Sequence, residues 1–116
     1  VRIALATKAF RGMCHVTGGG LPGNLPRILP RGLGVELDPA AWQRPRVFDI
    51  AAEIGAIEKE EMYRTFNMGI GFVLVVRRQS ADSVLRTLRE SGETVWRIGS
   101  VRPVQERARE SPVRFI

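Results

Sequence analysis

At 116 residues with a net charge of +6, the chain has the size of one domain. Its 44% apolar and 26% charged residues are ordinary globular values, which argues against intrinsic disorder. No apolar run approaches the roughly 18 residues of a spanning helix, which excludes a transmembrane segment. The sole cysteine, Cys14, and sole histidine, His15, exclude an internal disulfide and a four-ligand structural zinc site. A lone thiol suits a reducing cytoplasm. The apolar part of residues 1–8 is too short for a signal peptide. The chain does not begin with Met, so it is expected to be a piece of a longer protein. Its positive charge is mostly Arg, which suits phosphate or carboxylate recognition. Coding bias gives the same composition, so charge alone is weak support for an anionic partner.

Residues 12–17 read as a short extended segment and residues 18–23 as a glycine-rich loop. Residues 24–29 read as a short helix, with Asn24 as N-cap and Pro26 in the first turn, ended by Pro30. Residues 34–38 alternate like a strand. Residues 45–54 read as a helix whose stripe is Val47, Phe48, Ile50, Ala51 and Ile54, capped by Gly55. Residues 58–64 form a short helix whose acidic start and basic end complement the helix dipole. Residues 71–76 are apolar on both faces, which predicts a central strand. Residues 80–91 predict a helix that buries Ala81, Val84, Leu85 and Leu88 and stops at Gly92. Residues 95–101 read as a strand, 102–110 as a mobile polar turn, and 112–116 as an edge strand limited by Pro112. The sum is an α+β domain, a layered α/β/α unit with a mixed sheet of about four or five strands flanked by helices.

Two segments can carry chemistry. In the first, His15-Val16-Thr17-Gly18-Gly19-Gly20 runs into Asn24-Leu25-Pro26-Arg27. Glycines let the backbone approach a ligand closely, and their N–H groups with a following helix start suit an anion. Arg27 can add a guanidinium fork. A plain surface loop fits the glycines equally well. The spacing is not a Walker A loop, since Asn24-Leu25 stands where Lys-Ser/Thr is needed, and Gly69-Ile70-Gly71 is not a dinucleotide fingerprint, since Leu74 stands in place of the third glycine and a strand follows. In the second, Glu61-Met62-Tyr63-Arg64-Thr65-Phe66-Asn67-Met68-Gly69-Ile70-Gly71 leads through a turn into the strongest strand. Arg64, Thr65 and Asn67 can face a cleft there. Helix termination with a surface Glu61–Arg64 pair explains the same residues. His15 is the one histidine, the residue type suited to proton transfer near neutral pH, and can donate to a phosphoryl oxygen or move a proton, or it can be a core histidine bonded to backbone. Cys14 falls on the opposite strand face and reads as buried and inert. Trp42 and Trp96 read as packing residues.

Together these segments resemble the phosphoribosylformylglycinamidine cyclo-ligase family, also called aminoimidazole ribonucleotide synthetase. Trp96-Arg97-Ile98-Gly99 resembles it too, and the order and separations of all three agree over about residues 10–101. The resemblance covers only that family's C-terminal domain. It implies a cytoplasmic purine-biosynthesis enzyme that uses ATP with Mg2+ to close the imidazole ring of formylglycinamidine ribonucleotide. It also implies a separate N-terminal domain, absent from this chain, that forms the homodimer and supplies the metal ligands, so the chain alone is expected to be inactive. By the same resemblance His15 is the candidate that polarises or protonates the reacting oxygen. Thr17, Gly18, Gly19 and Gly20 become phosphate binders, with Asn24 and Arg27 beside them, and Arg64, Thr65 and Asn67 shape the cleft.

A related ATP-dependent synthetase or kinase, acting on selenide, thiamine phosphate or formylglycinamide ribonucleotide, is the nearest alternative. The full Tyr63-Arg64-Thr65-Phe66-Asn67 run argues against it, since those proteins resemble it only loosely. A small basic nucleic-acid-binding domain would fit the charge. However, the arginines are scattered and no stacking motif is visible. No nucleic-acid or membrane partner is expected.

Overall fold

The computed structural model describes residues 10–104 and 112–116. In chain order these form strand β1 (Phe10–His15), helix α1 (Gly20–Asn24), a 3-10 turn (Leu25–Ile28) and strand β2 (Leu33–Leu37). A 3-10 turn (Pro39–Ala41) and helices α2 (Arg46–Gly55) and α3 (Lys59–Thr65) follow. Strand β3 (Phe72–Val76), a 3-10 turn (Arg78–Ser80), helix α4 (Ala81–Glu90), and strands β4 (Gly99–Pro103) and β5 (Val113–Phe115) complete the order.

The α+β class holds, but the five described strands divide between two sheets instead of forming one. β1 and β3 make an antiparallel pair, with His15 opposite Phe72 and Cys14 opposite Val73. β2 is the centre of the other sheet, antiparallel to β4 and parallel to β5. β5 is therefore the edge strand that its proline suggested. β3 is not central among the described residues: it pairs only with β1, and Phe72 is 43% exposed. Its apolar character comes from packing on both faces. Leu74 and Val76 meet Val84 and Leu88 of α4, while Val73 joins the main core on the other side.

That core gathers Cys14, Val16, Leu21, Leu25, Val35, Leu37, Trp42, Met62, Tyr63, Ile70 and Val113. Leu21 and Leu25 are the two most deeply buried of its large side chains. Their i, i+4 spacing places both on one face, and this draws α1 and the following 3-10 turn onto the strands. Leu29 is already extended, as expected for a residue before proline.

Three elements differ from the periodicity. α2 turns Val47, Ile50 and Ile54 outward and docks only through Phe48, Ala51 and Ala52. Its apolar stripe is wider than the surface it meets. The helix also runs through Gly55 and ends at left-handed Ala56. β4 begins at Gly99, later than the apolar run suggests. Gly99 lies so close to the Glu36 carbonyl that a Cβ has no room, and the ladder with β2 starts there. The preceding residues are irregular, with the Val95 carbonyl held by the Arg89 guanidinium and the Ile98 carbonyl by the Asp38 amide. The polar turn proposed over 102–110 begins inside β4, and residues 105–111 lie outside the described residues.

Cys14 is buried, as alternation along β1 predicts. Burial pushes its thiol pKa up, with Arg27 opposing the shift. A raised folded pKa means the unfolded thiol ionises first. Cys14 therefore lowers stability only as pH rises above about 8.5 towards the folded value, and not below it. The expected result is alkylation by iodoacetamide at pH 8 at least about tenfold slower in the folded than in the urea-unfolded chain. Equal rates would show that the thiol is accessible.

Candidate functional site

The two segments singled out in the sequence meet at both ends. At one end the β1–β3 ladder places His15 beside Phe72, and the Val16 amide extends it by donating to the Gly71 carbonyl at 2.9 Å. At the other end Gly20 lies against the last turn of α3. A Cβ on Gly20 would stand 2.6 Å from the Phe66 carbonyl and closer still to that of Tyr63. Only glycine permits this approach, and Gly20 also has a left-handed φ of 61°. The glycine loop is thus seated on the backbone of the second segment.

The loop is partly helical, contrary to the reading of residues 18–23 as a free loop. Gly19, at φ 97°, turns the chain into α1. The Gly20 amide donates to the Thr17 carbonyl and the Gly23 amide to the Gly19 carbonyl, both at 3.0 Å. Among the described residues, the amides of Gly18 and Gly19 carry no such bond. Gly18 is exposed.

His15 is exposed, which removes the alternative of a core histidine. Its ring lies over that of Phe72 with centroids 6.2 Å apart and planes 25° from parallel. Phe72 is the neighbour that sequence reasoning missed, because it sits in a run that reads as buried throughout. Arg27, on the 3-10 turn after α1, is exposed, and no carboxylate pairs with it among the described residues.

Asn24 occupies the N-cap position of the 3-10 turn but makes no capping bond. Its side chain turns back into the loop and is buried. Arg64 and Thr65 are exposed and bond the Glu61 carboxylate at 3.3 and 3.4 Å. Their reading as a helix-end cluster is therefore realised, and they remain on the rim next to Gly20's contact. The Asn67 side chain accepts the Gly69 amide at 2.9 Å, fixing the turn that enters β3. Behind these, Arg44 donates to the Tyr63 hydroxyl at 3.2 Å and pairs with Asp49 at 2.8 Å. The carboxylate of Asp49 raises the already high pKa of Arg44.

A cavity of about 620 Å3 lies between β3, α4 and the 93–101 segment, walled by Leu74, Val84, Leu88, Trp96 and Val101, and it reaches Gly69 to Gly71 of the second segment and Phe72. His15 and Gly18 to Gly20 are not among its walls. Among the described residues no three His, Cys, Asp or Glu gather where they could hold a metal ion. No described helix is long and apolar enough to cross a membrane.

The fold and the joined segments define a class: the chain belongs to the family described as AIR synthase related protein, C-terminal domain, which matches residues 1–110. Among named relatives, a phosphoribosylformylglycinamidine cyclo-ligase of Sorangium cellulosum is 47% identical over 97% of this chain and 32% of its own length. Enzymes of the same name from Pseudothermotoga lettingae and Chromobacterium violaceum are 53% and 48% identical. Those matches cover 81% and 87% of this chain and 28% and 29% of the relatives. The chain thus spans about a third of the length of the relatives it matches.

Proposed function

We propose that the chain is the C-terminal domain of a two-domain phosphoribosylformylglycinamidine cyclo-ligase, a cytoplasmic enzyme of purine biosynthesis. In the whole protein, ATP activates the formyl amide oxygen of formylglycinamidine ribonucleotide. An amidine nitrogen then closes the imidazole ring, and ADP and phosphate leave. The observation that carries this reading is the seating of the glycine loop on the second segment. It leaves two amide donors of the loop unpaired, three and four residues along the chain from an exposed histidine.

The reaction places growing negative charge on a transferring phosphoryl group and on the oxygen it leaves with. Fixed N–H donors stabilise such charge without reorganising. In this reading Gly18 and Gly19 donate to phosphoryl oxygens and Arg27 adds a charged fork. His15 donates to the reacting oxygen. Thr17, Gly20, Asn24, Arg64, Thr65 and Asn67 shape or support the wall. The N-terminal domain supplies the opposing wall, the homodimer contact and whatever binds Mg2+ with ATP. A cleft between two domains also orders the substrates and excludes water.

A chimera tests this. The C-terminal third of the Sorangium cellulosum relative is replaced by this chain, and phosphate release is followed. The expected result is release that requires both ATP and formylglycinamidine ribonucleotide, with negligible release by the chain alone. His15→Ala in the chimera should lower kcat by about 10²-fold, the usual scale for a lost proton donor. A folded chimera with no turnover, or turnover by the chain alone, would overturn the reading.

A further inference from the structure

We propose that Asn24 is a positioning residue that turns the Gly18 and Gly19 amides outward as a matched pair of donors for an anionic phosphoryl oxygen. The choice of ligand rests on the function proposed above; the positioning does not.

Asn24 is only 3% exposed, so its amide must find its partners within the protein. It finds four. The Thr17 hydroxyl donates to Oδ1 at 3.1 Å, and the end of the side-chain amide that faces the loop must be the donor, because the backbone carbonyls there can only accept. Nδ2 then faces the loop and donates to the carbonyls of Gly20 at 2.8 Å, Thr17 at 3.2 Å and Gly18 at 3.4 Å. Three carbonyls of a four-residue stretch thus converge on one buried nitrogen.

Peptide planarity gives this convergence its consequence. In a trans peptide the C=O of one residue and the N–H of the next point in opposite directions. Drawing the Thr17 carbonyl inward therefore turns the Gly18 N–H away from Asn24, and drawing the Gly18 carbonyl inward does the same for Gly19. These are the two loop amides that carry no backbone partner among the described residues. The side chain has no donor left for a substrate. Asn24 therefore acts through the loop, in place of the direct contact that its position in the sequence suggested.

The test uses Asn24→Asp, which keeps the shape and sets a carboxylate oxygen against the three carbonyls. Amide NMR spectra of the whole chain are compared for wild type and N24D, with and without inorganic pyrophosphate. Without pyrophosphate, N24D should move the Gly18, Gly19 and Gly20 signals and leave Val35 and Leu37 in place. With it, the wild type should show saturable shifts at Gly18 and Gly19. N24D should bind at least about tenfold more weakly, the scale of lost hydrogen bonds to a charged group. Unmoved loop signals, or equal pyrophosphate affinity in N24D, would overturn the proposal. Loop signals that move in N24D while pyrophosphate leaves the wild type unchanged would support the positioning role and count against the phosphate reading. Should N24D not fold, Thr17→Val removes only the hydroxyl that holds Oδ1. It is expected to move the same signals, and no movement there would overturn the proposal.

Discussion

Replacing Gly20 by alanine is expected to destabilise the domain by about 2–5 kcal/mol, while the same change at Gly18 costs less than about 0.5 kcal/mol. The three glycines look equivalent in sequence and are not equivalent in the fold. Gly20 combines a left-handed φ of 61° with a Cβ position occupied by two backbone carbonyls, those of Tyr63 and Phe66. The backbone penalty is about 1–2 kcal/mol and the overlap adds about 1–3 kcal/mol. Both are backbone atoms, so neither gives way as the end of a flexible side chain would. Gly19 has the left-handed penalty, at φ 97°, but its Cβ would meet only the Gly23 Cα at an ordinary 3.5 Å. It should fall between, at about 1–2 kcal/mol. Gly18 has open space around its Cβ and an ordinary φ. Urea unfolding of the three alanine variants measures the series. An order other than Gly20 above Gly19 above Gly18 would mean that the loop is not seated on α3.

The elements that could be read from the sequence were those whose signal is local. α4 has apolar residues at 81, 84, 85 and 88; the structure buries Ala81, Val84 and Leu88, the last two against β3, and leaves Leu85 half-buried. β2 alternates, and its Val35 and Leu37 are buried. The parts that could not be read depend on partners distant in sequence. An apolar β3 predicts burial, and burial arises equally in a central strand or in a pair covered on both faces. α2 carries more apolar surface than the fold covers, so its periodicity overstates its burial. β4 starts where the Glu36 backbone comes closest, and nothing within residues 95–101 encodes that approach.

The site divides along the same line. Residue types suited to an anion were visible as Gly18-Gly19-Gly20, Arg27 and His15. That the glycine loop touches the second segment was not visible, because the contact is between the Gly20 Cα and carbonyls more than forty residues away. Asn24 illustrates how a polar residue near a glycine loop reads as a ligand contact until its partners are known. Its burial and its four bonds to the loop show a support.

Trp42 does more than pack, because its indole N–H holds the Met68 carbonyl. The turn entering β3 has positive φ at both central residues, 56° at Met68 and 99° at Gly69, as in a type I′ turn. For Met68 that conformation costs about 1–2 kcal/mol, so neighbouring contacts must offset it. Three do. The Asn67 side chain accepts the Gly69 amide, Pro45 packs where a Gly69 Cβ would lie, and the Trp42 indole donates to the Met68 carbonyl at 3.0 Å. Trp42 is itself buried, at 5% exposure. Trp42→Ala removes both the ring and the donor and is expected to lower stability by about 3–5 kcal/mol. Against the roughly 5–15 kcal/mol of a typical domain, that is a large share. Trp42→Phe keeps most of the volume and leaves the Met68 carbonyl unpaired, for about 1–3 kcal/mol. Urea unfolding measures both, with Trp96 as the remaining fluorophore. Trp42→Phe should also move the Met68 and Gly69 amide signals, since relaxing the turn changes their φ. If Trp42→Phe is neutral and those signals stay in place, the indole bond does not hold the turn. The left-handed Met68 would then rest on Asn67 and Pro45 alone.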